Sequence, residues 1–307
     1  MIHIIKLSSY KTEKAKMVFI FMTPAILLYL SLFIYPTIKA FYVSLFDWNG
    51  FTTTMKFIGL DNFRELIRDN RFWDIAIRNT IGYFFIGGLS VFICAFILCG
   101  ILSTKLKGRN LLRAIIFFPS IINPIAVCIL WAFIFNRRVG LLNSILQAIG
   151  LGALQQTWTA PENVFWLLIT ILTWTVTGYY CVILLAALDR IPMEYLESAY
   201  IEGANEAVIF FKIKIPLIWD VMVTTFIFWG ISAVKQFSIL FVWGGGVDVP
   251  PDGATNVAVM MYMTAFGKRL AINRMGYSTA MGVVMFLMVF LLVGLISRIT
   301  RKDAVEY

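Results

Sequence analysis

An all-α polytopic membrane protein with six transmembrane helices is the fold class that this 307-residue sequence predicts. Three observations carry that reading. The chain is 60% hydrophobic and only 14% charged, with a mean hydropathy of +0.83, where soluble domains hold about 45–50% apolar and about 25% charged residues. The apolar residues gather into six runs, each at least the ~20 residues that a ~30 Å hydrocarbon core requires. The basic residues sit in short flanks beside those runs, where the positive-inside rule places them. The net charge of +9 therefore points to a membrane and not to nucleic acid.

Each element follows from local chemistry. Residues 1–16 form a basic tail with Lys6, Lys11, Lys14 and Lys16. The first span runs from Met17 to about Ile38, too long for the apolar region of a signal peptide and without a small-residue cleavage site after it. Pro36 is expected to kink its outer end and Lys39 to snorkel to the interface. Residues 46–71 are mixed and amphipathic, and read as an ordered external segment. The second span covers 72–103, and the flank Lys105, Lys107, Arg109 and Arg113 marks the cytoplasm. The third covers about 112–135, with Gly140-Leu141-Leu142-Asn143 outside. The fourth covers about 163–188 and leads into a polar loop, 190–216. The fifth runs from about 217 to 243, before an external turn with Gly244-Gly245-Gly246 and Pro250-Pro251. The sixth covers about 276–297, and Arg298, Arg301 and Lys302 close the chain. Both termini are thus expected in the cytoplasm. The organisation expected is a tail (1–16), a first helix with its external segment (17–71), a core (72–299) and a second tail (300–307).

The polar loop reads as two short helices. Pro192 suits a first helical position and Glu194 the positive end of the helix dipole. Gly203 permits the left-handed or close-packed backbone needed where one helix stops and another begins. Asn205 suits an N-cap, Lys212 and Lys214 complement the second helix's negative pole, and Pro216 is expected to end that helix and start the fifth span. Glu194, Glu197, Glu202 and Glu206 make the loop acidic, which does not suit anionic lipid. With Tyr195, Tyr200, Phe210 and Phe211 expected to be exposed, the hairpin suits docking on a protein.

The loop carries Glu197-Ser198-Ala199-Tyr200-Ile201-Glu202-Gly203 and, after nine residues, Ile213-Lys214-Ile215-Pro216. This resembles the cytoplasmic EAA loop (E-A-A, three residues, G, nine residues, I-x-L-P) of permease subunits in binding-protein-dependent ABC importers. Ser198 and Ile215 are its two departures. Further matches run along nearly the whole chain. They are Tyr35-Pro36, Gly59-Leu60-Asp61-Asn62-Phe63, Phe72-Trp73, Asn79-Thr80, Phe118-Pro119-Ser120, Trp131, Gly140-Leu141-Leu142-Asn143, Trp174, Gly178 and Leu188-Asp189-Arg190-Ile191-Pro192. Phe237 and Gly244-Gly245-Gly246 are similar to the carbohydrate branch, with Ser238 where Asp is usual and Val247 where Pro is usual. The resemblance, to maltose and glycerol-phosphate permeases, implies the type I importer permease fold with cytoplasmic coupling helices. It implies that Glu197, Ser198, Ala199, Gly203, Ile213, Ile215 and Pro216 dock on an ATPase. It also implies a second homologous permease subunit, two ATPase copies that carry the ATP, an extracytoplasmic solute-binding protein, and a bacterial or archaeal cytoplasmic membrane. The cargo implied is a carbohydrate, an oligosaccharide by preference. Glycerol phosphate, a polyol, an amino acid or a peptide are alternatives within the same machinery.

Polar residues inside spans are candidates for a transport path, though many serve as packing glue. On the fifth span Thr225, Trp229, Ser232, Gln236 and Trp243 share one helical face. On the fourth, Trp166, Thr170, Thr173, Trp174 and Thr177 do so, and on the third Ser120, Asn123 and Trp131 line up. Hydroxyls and amides beside flat rings are what a sugar needs. Asn123, Trp174, Thr177, Trp229, Ser232, Lys235 and Gln236 are therefore the substrate-path candidates. Lys235 lies about 27 Å along a helix that begins near Leu217, so it snorkels outward or faces a water-filled cavity. Catalysis finds no footing. His3 is the only histidine, no metal site or nucleophile–base pair is visible, and Gly267-Lys268-Arg269 lacks the rest of a phosphate loop. Cys94, Cys99, Cys128 and Cys181 lie within apolar spans without CxxC spacing and read as buried thiols. A secondary transporter would show inverted repeats and paired membrane carboxylates, and neither is seen.

Overall fold

The computed structural model describes residues 2–104, 106–245, 250–267 and 273–300, with side chains from Glu13 onward. Expectations for the side chains of His3, Lys6 and Lys11, and for Lys105, Gly246, Val247, Lys268, Arg269 and the residues from Arg301 on, lie outside the described residues. Among the described residues, five helices are long and apolar enough to cross a membrane: Glu13–Val43, Phe72–Leu102, Val164–Leu188, Trp219–Trp243 and Met275–Ile299. A bent pair, Arg109–Ile121 and Pro124–Ile134, brings the number to six if it is counted as one span.

The first span continues past its expected end to Val43. Pro36 does not stop it, because a π turn at Leu30–Ile34 precedes the segment Tyr35–Val43, and Pro36 sits at the start of that segment. A wide turn relieves the clash between the proline ring and the carbonyl one turn earlier. This span leans on the sixth, where Phe41 meets Phe286 edge-on at 5.5 Å, and leaves its apolar window uncovered.

The third span is not one helix. Its halves meet at 99°, because Pro119 and Pro124 cannot donate to the helical ladder and Ile122 between them is extended (φ −73°, ψ 138°). Asn123 caps the second half, its Oδ1 accepting from Ile125 N at 2.8 Å. Ser120, Asn123 and Trp131 therefore do not share a helical face.

The fifth span is also interrupted. It runs Trp219–Val234, leaves the helix at Lys235–Phe237 and resumes over Ser238–Trp243. Asn256, fully buried, ties off the break. Its Nδ2 donates to Gln236 O at 2.6 Å, and its Oδ1 accepts from Val259 N at 2.9 Å. That second bond caps a helix absent from the sequence reading, Val257–Phe266. The second span holds this returning segment: Asn79 Nδ2 donates to Asp252 O and Thr255 O, and Thr80 Oγ1 accepts from Val257 N.

Residues 46–71 are ordered, as expected. Phe46–Asp47 pairs antiparallel with Lys56–Phe57, and a helix, Asp61–Arg68, follows. Asn62 Nδ2 donates to Ser44 O and Phe46 O. Arg274, at the start of the sixth span, grips Glu65 through two bonds of 2.6 and 2.5 Å. Those bonds hold the Glu65 carboxyl below the usual carboxylate range.

Asn256→Ala should destabilise the fold, because Gln236 O loses its partner and the 257–266 helix loses its cap. The loss of one buried partner costs about 1–3 kcal/mol. Thermal unfolding of the detergent-purified chain should show a lowered midpoint, and an unchanged midpoint would mean that the break is held by other contacts.

Candidate functional site

Two regions are candidates: the hairpin of residues 190–216 and a cavity between spans. The hairpin begins at Pro192, which stands one residue before the helix Met193–Ile201 (ψ 137°). Gly203 N donates to Tyr200 O and Ala204 N to Ala199 O, both at 3.0 Å. That pair of bonds is a Schellman cap, and it requires the left-handed residue that Gly203 supplies at φ +82°. Ala199 is buried beneath it. Asn205 then caps the next helix, its Oδ1 accepting from Val208 N at 2.9 Å. Helical structure continues through Glu206–Val208, a π turn at Ile209–Lys214 and Ile215–Leu217. Pro216 lies inside this run, so it does not end the helix; the break falls at Ile218.

Burial sorts the docking candidates. Glu197, Ser198, Gly203 and Pro216 are exposed, and Ile213 and Ile215 are half-buried. Ile215 packs on the apolar core formed by the second, fourth and fifth spans, so it attaches the hairpin. Tyr195, Tyr200 and Phe211 are exposed as expected. Phe210 is not: it is buried in that same core, because its helix turns it towards the second span. Ile201, by contrast, is 87% exposed. Tyr200 OH donates to Glu206 Oε1 at 2.5 Å and joins the two arms of the hairpin, and this carboxylate raises the Tyr200 phenol's pKa.

Polar ties anchor the hairpin at its base. Arg109 and Arg113 both donate to Asp189, each at 2.7 Å, fastening the third span to the end of the fourth. Burial pushes the Asp189 carboxyl up, but the two guanidiniums outweigh it and hold it below the usual carboxylate range. Lys214 is buried, and its Nζ donates to Ser103 Oγ at 3.3 Å, at the end of the second span.

The cavity, about 300 Å³, lies between the fourth and fifth spans. Trp229 and Ser232, on the helix Trp219–Val234, and Gln236, in the break that follows it, line it together with Tyr83, Ser120, Tyr179 and Tyr180. Trp229 is largely buried. Its Nε1 donates to Phe84 O at 2.9 Å, in the π turn Tyr83–Gly87, and its ring meets Tyr180 edge-on at 5.9 Å. Gly88 makes this possible, since a Cβ there would lie 2.5 Å from the indole nitrogen.

The other four path candidates lie elsewhere. The Asn123 carboxamide is taken up by its cap. Thr177 is buried and its Oγ1 donates to Thr173 O. Trp174 packs edge-on against Trp131 at 5.6 Å. Lys235 faces a separate groove of about 500 Å³, walled by the first and sixth spans and including Leu32, Pro36, Thr37 and Phe286. Tyr83, Tyr179 and Tyr180 were missed; phenols inside apolar spans are the signal that marks them, because a hydroxyl there wants a partner. Among the described residues, no group of three His, Cys, Asp or Glu could hold a metal ion.

The family model described as "Binding-protein-dependent transport system inner membrane component" matches residues 96–302. A probable ABC transporter permease protein of Bacillus subtilis, YesP, is 31% identical over 291 residues, covering 92% of this chain and 89% of that protein. The alpha-glucoside transport system permease protein AglF of Rhizobium meliloti is 33% identical over 237 residues, covering 74% and 67%. The fold is similar to a solved bacterial ABC transporter involved in import of the acidic polysaccharide alginate, with a TM-score of 0.76, 21% identity, and coverage of 96% of this chain and 99% of that one.

The left-handed turn predicts a graded series. Space around Gly203 is open, so only the backbone conformation opposes a side chain. Gly203→Val should cost about 1–2 kcal/mol, whereas Gly203→Asn, which tolerates that conformation, should cost much less. Amide exchange of residues 199–208 should quicken in the valine variant alone; equal exchange in both would remove the cap from the argument.

Proposed function

The chain belongs to the family of binding-protein-dependent transport system inner membrane components, and on that premise we propose that it is one of two membrane-spanning subunits of an ATP-driven importer for a carbohydrate. The observation that carries the reading is the 190–216 hairpin. It is capped in the middle and tied at its base, and it turns Glu194, Glu197, Ser198, Tyr200, Ile201 and Glu202 away from its own core. An exposed face that is both apolar and acidic is poorly suited to water and to anionic lipid, and well suited to a protein partner.

That partner is an ATPase dimer, which supplies the ATP; this chain binds none. Glu197 and Ser198 meet the ATPase, while Ala199, Gly203, Ile213, Ile215 and Pro216 shape and seat the hairpin. A second, homologous permease subunit supplies the other docking loop. A loaded solute-binding protein docks on the opposite side. Both termini and residues 190–216 are cytoplasmic, and residues 137–161 lie outside. ATPase closure moves the hairpin and rocks the spans between outward- and inward-facing states, and ATP acts only through its differential affinity for the two.

Two observations favour a carbohydrate. The similar AglF protein is named for alpha-glucoside transport, and the cavity sets neutral hydroxyl and amide groups beside aromatic rings. Trp229 offers an apolar edge to a sugar ring, and Ser232 and Gln236 bond its hydroxyls.

Glu197→Lys should abolish uptake and the cargo-stimulated ATPase of the reconstituted complex while leaving the chain in the membrane. Full uptake by a well-expressed variant would overturn the docking role. Gln236→Ala should raise the transport KM or cut the rate roughly tenfold or more, since a lost buried bond costs about 1–3 kcal/mol. Normal transport by both Gln236→Ala and Trp229→Ala would place the cargo elsewhere.

A further inference from the structure

We infer that the cavity between the fourth and fifth spans admits neutral polyhydroxyl cargo and rejects carboxylate- and phosphate-bearing cargo. The inference rests on reading this cavity as the cargo site. Its lining holds phenols, hydroxyls, one indole, one carboxamide and aliphatic groups, and no side chain that carries a full charge at neutral pH. The elements around it repeat that pattern. The fourth span, Val164–Leu188, contains no Asp, Glu, Lys or Arg over its 25 residues. Neither Phe118–Ile121, which brings Ser120, nor Tyr83–Gly87 contains one.

The one cation nearby in sequence is turned away. Lys235 immediately precedes Gln236, but the helix ends between Val234 and Phe237. Gln236 lines the cavity, while Lys235 lines the groove towards the first and sixth spans. Asp220, at the start of the same helix, is sixteen residues from Gln236, about 24 Å at the helical rise.

Several of the cavity's strong donors are also already paired. Tyr83 OH donates to Gly253 O, Ser120 Oγ to Thr175 O, and Trp229 Nε1 to Phe84 O. The Ser232 hydroxyl is hydrogen-bonded to the Tyr180 phenol, and the groups left facing the space include the Tyr179 phenol and the Gln236 carboxamide. Such groups donate and accept in equal measure, which matches the hydroxyls of a sugar. A carboxylate or phosphate would give up its hydration for a few neutral donors with no counter-charge, a poor exchange inside a membrane protein. The neutral lining therefore separates this chain's cargo from an acidic oligosaccharide, although the fold is similar to that of an importer of an acidic polysaccharide.

The test is equilibrium dialysis of the purified complex containing this chain, in nanodiscs. The probes are radiolabelled maltose and cellobiose and the same disaccharides oxidised at C6 to uronic acids. The neutral sugars should be retained, and the uronic acids should bind more weakly by roughly a hundredfold or more. Gln236→Arg, which brings a guanidinium into the lining, should strengthen uronic acid binding by about tenfold or more. If the wild-type complex retains the uronic acids as well as the neutral sugars, the inference fails while the cavity stands as the cargo site. If no disaccharide binds to the wild type or to Gln236→Arg, the cargo-site reading fails and the inference with it.

Discussion

In hydrocarbon there is no water to satisfy a backbone N–H or C=O, so every departure from a regular helix must be closed by the protein itself. This constraint organises the chain. At the bend in the third span, Asn123 supplies an acceptor to Ile125 N. At the break in the fifth, Asn256 supplies a donor to Gln236 O. In the second span the π turn Tyr83–Gly87 presents Phe84 O, and the Trp229 indole takes it. Each solution reaches beyond its own helix or shapes a neighbouring one. The cavity exists where three of these departures converge, because bends and wide turns keep the spans from packing flush.

The same logic explains why polar side chains are sparse and placed with purpose. Asn79, Thr80 and Asn256 are buried, and each bonds the backbone of a different element. Together they fasten the 252–257 segment between the second and fifth spans. A short apolar helix, Val257–Phe266, is thereby held without crossing the membrane.

The sequence made plain what local chemistry governs and hid what distant partners decide. The second, fourth and sixth spans fall within a few residues of their hydropathy limits, since length and apolarity are properties of the run itself. The third and fifth look continuous by the same measure, because Ile122 and Phe237 are as apolar as their helical neighbours. The signals of breakage, Pro119, Asn123-Pro124 and Gln236, are small against so much hydrophobicity. The 257–266 helix escaped notice because ten residues are too few to read as a span. In the hairpin, Gly203 acts through its own backbone and Asn205 through a side chain that caps the residues just after it, so both were legible; Phe210 required knowledge of the second span. Trp229 and Ser232 could be grouped because one helix carries them, and Gln236 follows closely enough in the chain to reach the same space. Trp174 and Lys235 could not be placed, because their surroundings come from other helices, and Asn123 and Thr177 spend their polar atoms on their own backbone.

The break at Ile218 separates the hairpin from the fifth span by a single residue, while Lys214 and Ser103 stitch the hairpin to the second span just before it. Mechanically, these are two couplings in parallel, one through the backbone at Ile218 and one through the Lys214–Ser103 hydrogen bond. A load applied at the hairpin therefore has two routes, one into the second span and one into the fifth. Both spans also reach the cavity, the second through Tyr83 and the fifth through Trp229, so unequal movement of the two would change the shape of that space and not only its place.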